Sequence, residues 1–192
     1  MAVRRKRIHD LVQRIFIRQK NVGIPIKVKN IAHLYKIKVQ YEPVENNLSG
    51  FLKKDSDIKM YDRLSRSRTL FKQHQAIISV NENHNFLRQR STIAHALGHF
   101  FLHQEETFHI NHASQVKLPN KNLETKISDK EKEANLFAAE LLMPGSFIEK
   151  DLQQINTLDL FEDVKLKELA KKYQVSIQAL ILRLAYLNYI QV

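Results

Sequence analysis

Residues 95–99 read His95-Ala96-Leu97-Gly98-His99. Histidines four positions apart on a helix lie one above the other, so both imidazoles can reach one tetrahedral zinc ion. In the zinc-protease pattern HExxH, the residue after the first histidine is a glutamate that takes a proton from the attacking water. Ala96 stands at that place and has no group to accept a proton. The pentad therefore predicts a metal site without its general base.

Catalytic zinc sites take three protein ligands and leave a fourth position for water, so a third ligand is needed. Glu131 is the choice. On a helix it shares one face with Ala134, Asn135, Ala138 and Leu142, and the two alanines would let that helix approach the histidine helix closely. Glu133 lies about 200° around the helix from Glu131 and should face elsewhere. Ser128-x-x-Glu131 also fits a capping box, in which the glutamate merely satisfies a helix end. His103, His109 and His112 are rival ligands. His103 sits about 80° around the helix from His95, which makes it a neighbouring surface group or, with Asn135, a support for the ligands from behind. His109 and His112 fall in a polar stretch where histidine has no special role.

The elements that must position these residues can be read from periodicity. Ile8, Leu11, Val12, Ile15 and Phe16 recur at helical spacing, predicting a helix over about Val3 to Lys20 that ends at a Gly23-Ile24-Pro25 break. A short helix over Val28 to Tyr35 leads into a strand over Ile37 to Tyr41. Leu48 to Leu52 could begin a second strand, and Asp55 to Gln75 is a polar, basic connection. Ala76 to Val80, short, apolar and β-branched, is the clearest strand. It leads through Asn81 to Asn85 into the histidine helix, capped by Ser91 or Thr92 unless Phe86 to Arg90 is already helical. Gln104 to Ile127 is too long for an ordinary connection and reads as a loop. A second long helix runs from about Asp129 to the Met143-Pro144-Gly145 break. From Phe147 onward the chain reads as further helices, including Leu166 to Tyr173 and Ile177 to Tyr189.

These elements predict an α+β, mainly helical fold. A small mixed or antiparallel sheet would pack on the histidine helix and the glutamate helix, with a C-terminal helical lobe. The division expected is a metal-bearing domain over 1–145, including the N-terminal helix, and a helical subdomain over 146–192. With 192 residues the chain can bury one sizeable core with a small appended lobe. Four glycines and four prolines agree with few tight turns. The absence of cysteine excludes disulfides, thiolate zinc sites and cysteine nucleophiles. Asp10, Gln13, Arg14 and Arg18 interrupt any signal-like apolar run after the basic start, and no later segment approaches membrane-spanning length. A cytoplasmic protein with no membrane partner is expected. The formal charge of +11 is compatible with DNA or an acidic partner, but the lysines are scattered, and only Arg4 to Arg7 and Arg63 to Arg68 are dense clusters.

The motifs resemble one family, the ImmA/IrrE metallopeptidases of bacteria and their mobile elements. Arg88 to His103 is similar to that family's arginine-led, histidine-ended motif, and Glu131 to Pro144 to its second motif. The strand through Asn81 and Leu48-Ser49-Gly50-Phe51 also fit. The likeness covers roughly 24–184 and is strongest over 77–144. It implies a thermolysin-like zinc fold with Zn²⁺ held by His95, His99 and Glu131. It also implies a substrate class: a helix-turn-helix repressor or antitoxin encoded nearby, cleaved to relieve transcriptional repression. The sequence departs from the family at Ala96, the position of the catalytic glutamate, and at Ser91, where phenylalanine is usual. Ala96 predicts an inactive variant that still binds zinc and substrate, with engineered replacement preferred over a natural pseudoprotease.

The rival from another class is a zinc-containing binding protein or DNA-binding regulator. Leu166 to Leu180 reads like a helix-turn-helix. However, Ile177, Leu180, Ile181, Leu182 and Leu184 surround its second helix nearly completely, and a recognition helix needs a polar face for base edges. The pair is read as core or partner-binding helices, with DNA contact the lesser expectation.

Overall fold

The computed structural model describes residues 3–20, 22–45, 47–54, 75–112, 128–153 and 163–191. Its elements run α1 (Arg5–Gln19), α2 (Val28–Leu34), β1 (Ile37–Glu42), β2 (Leu48–Lys54), β3 (Ala76–Asn81), α3 (Phe86–Leu102), β4 (Phe108–His112), α4 (Asp129–Leu142), α5 (Gly145–Leu152), α6 (Asp163–Tyr173) and α7 (Ile177–Tyr186). The fold is mainly helical α+β with one small mixed sheet, as the periodicity predicts. None of the helices among the described residues is long and apolar enough to cross a membrane.

The sheet order is β1-β3-β2-β4, with β1 parallel to β3 and β2 antiparallel to both β3 and β4. The apolar, β-branched run of β3 fills the sheet interior, with Ile78 and Val80 fully buried. Gly50 on β2 has φ +155°, and a Cβ there would lie 2.1 Å from the Ser79 carbonyl oxygen. Only glycine lets β2 lie against β3 at this point.

One expectation needs correction, and of two possible starts for the histidine helix the structure shows the earlier. The stretch 104–127 is not one loop: it contains β4, which pairs with β2 so that His109 stands opposite Leu52. The histidine helix starts at Phe86, and its cap is Asn85, whose side chain accepts a hydrogen bond from Arg88 N at 3.0 Å. Asparagine caps as well as serine, and an earlier cap adds a full turn before Ser91. The other part of that stretch, 113–127, and most of the connection over 55–75, with its Arg63 to Arg68 cluster, lie outside the described residues.

Polar side chains fix how α3 sits. Lys54 Nζ donates to the carbonyls of His99 at 3.3 Å and His103 at 2.5 Å, placing a cation at the negative end of the helix. Arg90, though buried, donates to the carbonyls of Ile26, Tyr173 and Gln174, tying α3 to the segment before α2 and to the end of α6. Arg183 on α7 is buried too; its Nε donates to Met143 O at 2.9 Å, and its Nη2 pairs with Glu140 on α4. Ile148, Leu169, Tyr173, Leu180 and Leu184 from α5 to α7 join the same buried cluster as α1 and the sheet.

Candidate metal centre

The histidine helix and the glutamate helix lie side by side. Glu133 takes no part in the site, as its phase predicts. Its Oε1 accepts from Arg4 N at 3.0 Å and Arg4 Nε at 2.9 Å, and its Oε2 from Arg4 Nη2 at 2.6 Å. The start of α1, where Arg4 offers no capping side chain of its own, is thereby capped from α4.

Glu131 turns the other way. Ser128 caps α4 by accepting from Glu131 N at 3.2 Å, but the Glu131 carboxylate does not return the bond that a capping box would make. It points instead into a group of imidazoles: Oε2 lies 3.3 Å from His95 Nε2, and Oε1 lies 3.0 Å from His99 Nε2 and 3.2 Å from His109 Nε2. His95 Nε2 and His99 Nε2 are 3.1 Å apart. Bonds of about 2.0–2.1 Å to a tetrahedral cation would set ligand atoms roughly 3.3–3.4 Å apart. Four separations in this group, 3.0–3.3 Å, come close to that length.

The hydrogen bonds of these rings show which nitrogens face the centre. His95 Nδ1–H donates to Asn135 Oδ1 at 3.0 Å, and His99 Nδ1–H donates to Glu106 Oε2 at 3.2 Å. With Nδ1 as the donor, each ring turns its Nε2 toward the other and toward the Glu131 oxygens. His109 Nε2 is also buried and has no hydrogen-bond partner; its approach to Glu131 is close but not aligned. Three imidazoles and a carboxylate thus converge on one point, where shared protons or a cation must hold them together. His95, His99, His109 and Glu131 have all their donor atoms within 4.8 Å of one another, and they fit a metal ion.

The electrostatics agree. Burial pushes the Glu131 carboxyl up, but the His95 and His99 imidazoles outweigh it and hold Glu131 below the usual carboxylate range, so it is an anion at neutral pH. Burial, with the nearby His99, pushes His109 down to about 4, which keeps its ring neutral. Burial also opposes ionisation of Glu106, yet Lys130, 2.8 Å away, and His99 keep its carboxyl low. Glu106 thus stays an acceptor for His99, the usual way a carboxylate orients a metal-binding imidazole.

Of the residues singled out in the sequence, the structure places His95, His99, Glu131 and Asn135 together. His103 is not a surface group: it is buried, its ring lies 5.3 Å from that of His99, and its Nε2 donates to the Lys130 carbonyl at 3.1 Å, next to Glu131. His109, a rival ligand that the sequence reading placed in a loop, enters the cluster from β4. Glu106 was not singled out at all. The signal for His109 was the alternation Phe108-His109-Ile110-Asn111, which marks a strand with one imidazole face. Ala96 is buried beside His95, with only a methyl group to offer.

The comparisons with known proteins agree with this geometry. Metallopeptidase ImmA of Bacillus subtilis (strain 168) is 36% identical over 83 residues, which is 42% of this chain and 42% of that relative. The alignment thus spans less than half the length of the curated relative. Residues 32–185 match the IrrE N-terminal-like domain. That span holds the sheet, both site helices and most of α7, so the chain belongs to the IrrE N-terminal-like family of metallopeptidases.

Proposed function

We propose that the chain is a zinc endopeptidase of ImmA/IrrE type, with His95, His99 and Glu131 as zinc ligands, whose substrate is a helix-turn-helix repressor or antitoxin encoded nearby. The observation that supports the ligand set is the approach of one Glu131 carboxylate to both helix imidazoles at 3.0 and 3.3 Å. When bound, zinc would polarise a peptide carbonyl and lower the pKa of water from 15.7 toward about 7. The chain's own groups do the rest. Asn135 and Glu106 fix the rings of His95 and His99 through their Nδ1 atoms, and Glu131 brings negative charge that a dication neutralises.

A glutamate at 96 would take a proton from the attacking water and pass it to the leaving amine; alanine can do neither. We read this chain as a Glu-to-Ala replacement that keeps the ligands and has lost the base. Loss of a general base costs about 10²- to 10⁴-fold in rate. The source gene distinguishes the two origins: a glutamate codon at 96 supports engineering, and an alanine codon supports a natural pseudoprotease that acts by binding.

The test is to incubate the Ala96→Glu form with zinc and the helix-turn-helix protein encoded next to its gene. One discrete cut, abolished by a chelator, is expected. Intact protein with every such neighbour would overturn the protease reading and leave a binding role.

A further inference from the structure

We propose that His109 is a fourth protein ligand of this centre, so that the chain caps its own metal and a substrate carbonyl or water gains a coordination position only when β4 releases the ring. This rests on the metal-centre reading above and deepens it by assigning the site a closed resting state. Catalytic zinc sites keep one position open, whereas sites with four protein ligands are closed.

The geometry carries the assignment. The His109 ring lies against both helix imidazoles, 5.9 Å from His95 and stacked on His99 at 3.5 Å and 18°. One tetrahedral ion would hold two imidazole centroids about 5 Å apart, so binding opens this stack by turning the His109 ring. Its Nε2 reaches the same Glu131 oxygen as His99 Nε2 does, at 3.2 Å. Buried polar atoms are nearly always hydrogen-bonded, and this Nε2 is one of few among the described residues that is not.

The strand shows the same choice of residue. In β4 Phe108 and Ile110 are exposed, at 52% and 40% of the whole residue, while the His109 side chain between them is only 17% exposed. The apolar residues thus face outward and the imidazole faces the centre, the reverse of what burial of apolar surface alone would select. Among the described residues β4 pairs only with β2, so withdrawing His109 disturbs a single ladder of an edge strand.

The test needs no turnover. X-ray absorption of the zinc-loaded chain should report three imidazoles and one carboxylate, the donor set found here, and no water. In His109→Ala the imidazole count should fall by one. Zinc affinity, measured against a competing chelator, should drop by about 10- to 100-fold or more, since even the loss of a group behind a ligand costs that much. With cobalt as the probe metal, acetohydroxamate should shift the visible spectrum of His109→Ala at concentrations that leave the unmodified chain unchanged. Circular dichroism checks the fold of the variant, and His109→Gln, which keeps bulk and polarity, repeats the measurement if alanine unfolds β4. Equal imidazole counts and equal affinities with and without His109 would overturn the proposal, as would hydroxamate binding equally to both forms. His99→Ala separates the two readings. If it loses zinc while His109→Ala does not, only the fourth ligand fails; if it keeps zinc, the metal-centre reading fails with it.

Discussion

Gly98 of α3 lies against Ala134 of α4 so closely that a Cβ built on Gly98 would stand 3.0 Å from both the Cα and the carbonyl oxygen of Ala134. The obstacle is backbone, so it yields only if a whole helix moves. His99 follows Gly98, and Glu131 precedes Ala134 by about one turn. This one contact therefore sets how far the carboxylate stands from the imidazoles.

Gly98→Ala tests that coupling. Overpacking costs about 1–3 kcal/mol, and the better helix propensity of alanine returns about 1 kcal/mol, so the net change in thermal stability should be modest. Zinc affinity should fall more clearly, by about 10-fold or more, because Glu131 is carried away from His95 and His99. Unchanged affinity in a chelator competition would show that helix spacing does not control the site.

Glu133 makes a prediction about pH. The hydrogen bonds from Arg4 hold its carboxyl near the start of α1 and bring its pKa down to about 2, below the ordinary glutamate value of 4.5, although burial opposes this. A depressed carboxylate pKa contributes stability that is full above the unfolded value and is lost as pH falls toward the folded one. Glu133→Gln should thus cost about 1.5–3 kcal/mol at pH 7, the range for charge-assisted hydrogen bonds. The gap between the two forms should narrow between pH 4.5 and pH 2. Denaturant titrations at several pH values measure it, and a gap that widened in acid would have the wrong sign for this pair.

What could be read in advance was whatever depends on local periodicity. The i, i+4 spacing of His95 and His99 and the helical phase that separates Glu131 from Glu133 need only neighbouring residues, and the structure places all four accordingly. His109 and Glu106 depend on a pairing of β4 with β2 across more than fifty residues of chain, which no local pattern specifies. A polar stretch hides a strand when its apolar face, here Phe108 and Ile110, is only two residues long. Arg90 was equally silent, because three backbone carbonyls from two distant segments are what bury it.

The groups behind the ligands should prove nearly as important as the ligands. Asn135→Ala frees the His95 ring and Glu106→Ala frees that of His99, and each should weaken zinc binding by about 10- to 100-fold with little effect on folding. Glu106→Gln should recover part of the loss, since its amide oxygen can still accept from Nδ1–H. Lys130 offers a control: it reaches Glu106 but no ligand, so Lys130→Ala should change affinity far less. Equal losses for Lys130→Ala and Glu106→Ala would indicate that fold stability, not ring orientation, was being measured.

Position 96 should separate binding from chemistry. Ala96 offers only a methyl group, and all the proposed ligands are present without it, so the unmodified chain and its Ala96→Glu form should hold zinc with affinities within a few-fold of each other. Their rates on the cleaved partner should differ by about 10²- to 10⁴-fold, and the unmodified chain should retain that partner uncut. Zinc titrations and a pull-down on the same two proteins give both numbers. Should Ala96→Glu instead tighten zinc binding by 100-fold, the new carboxylate would be acting as a ligand and could not serve as the base.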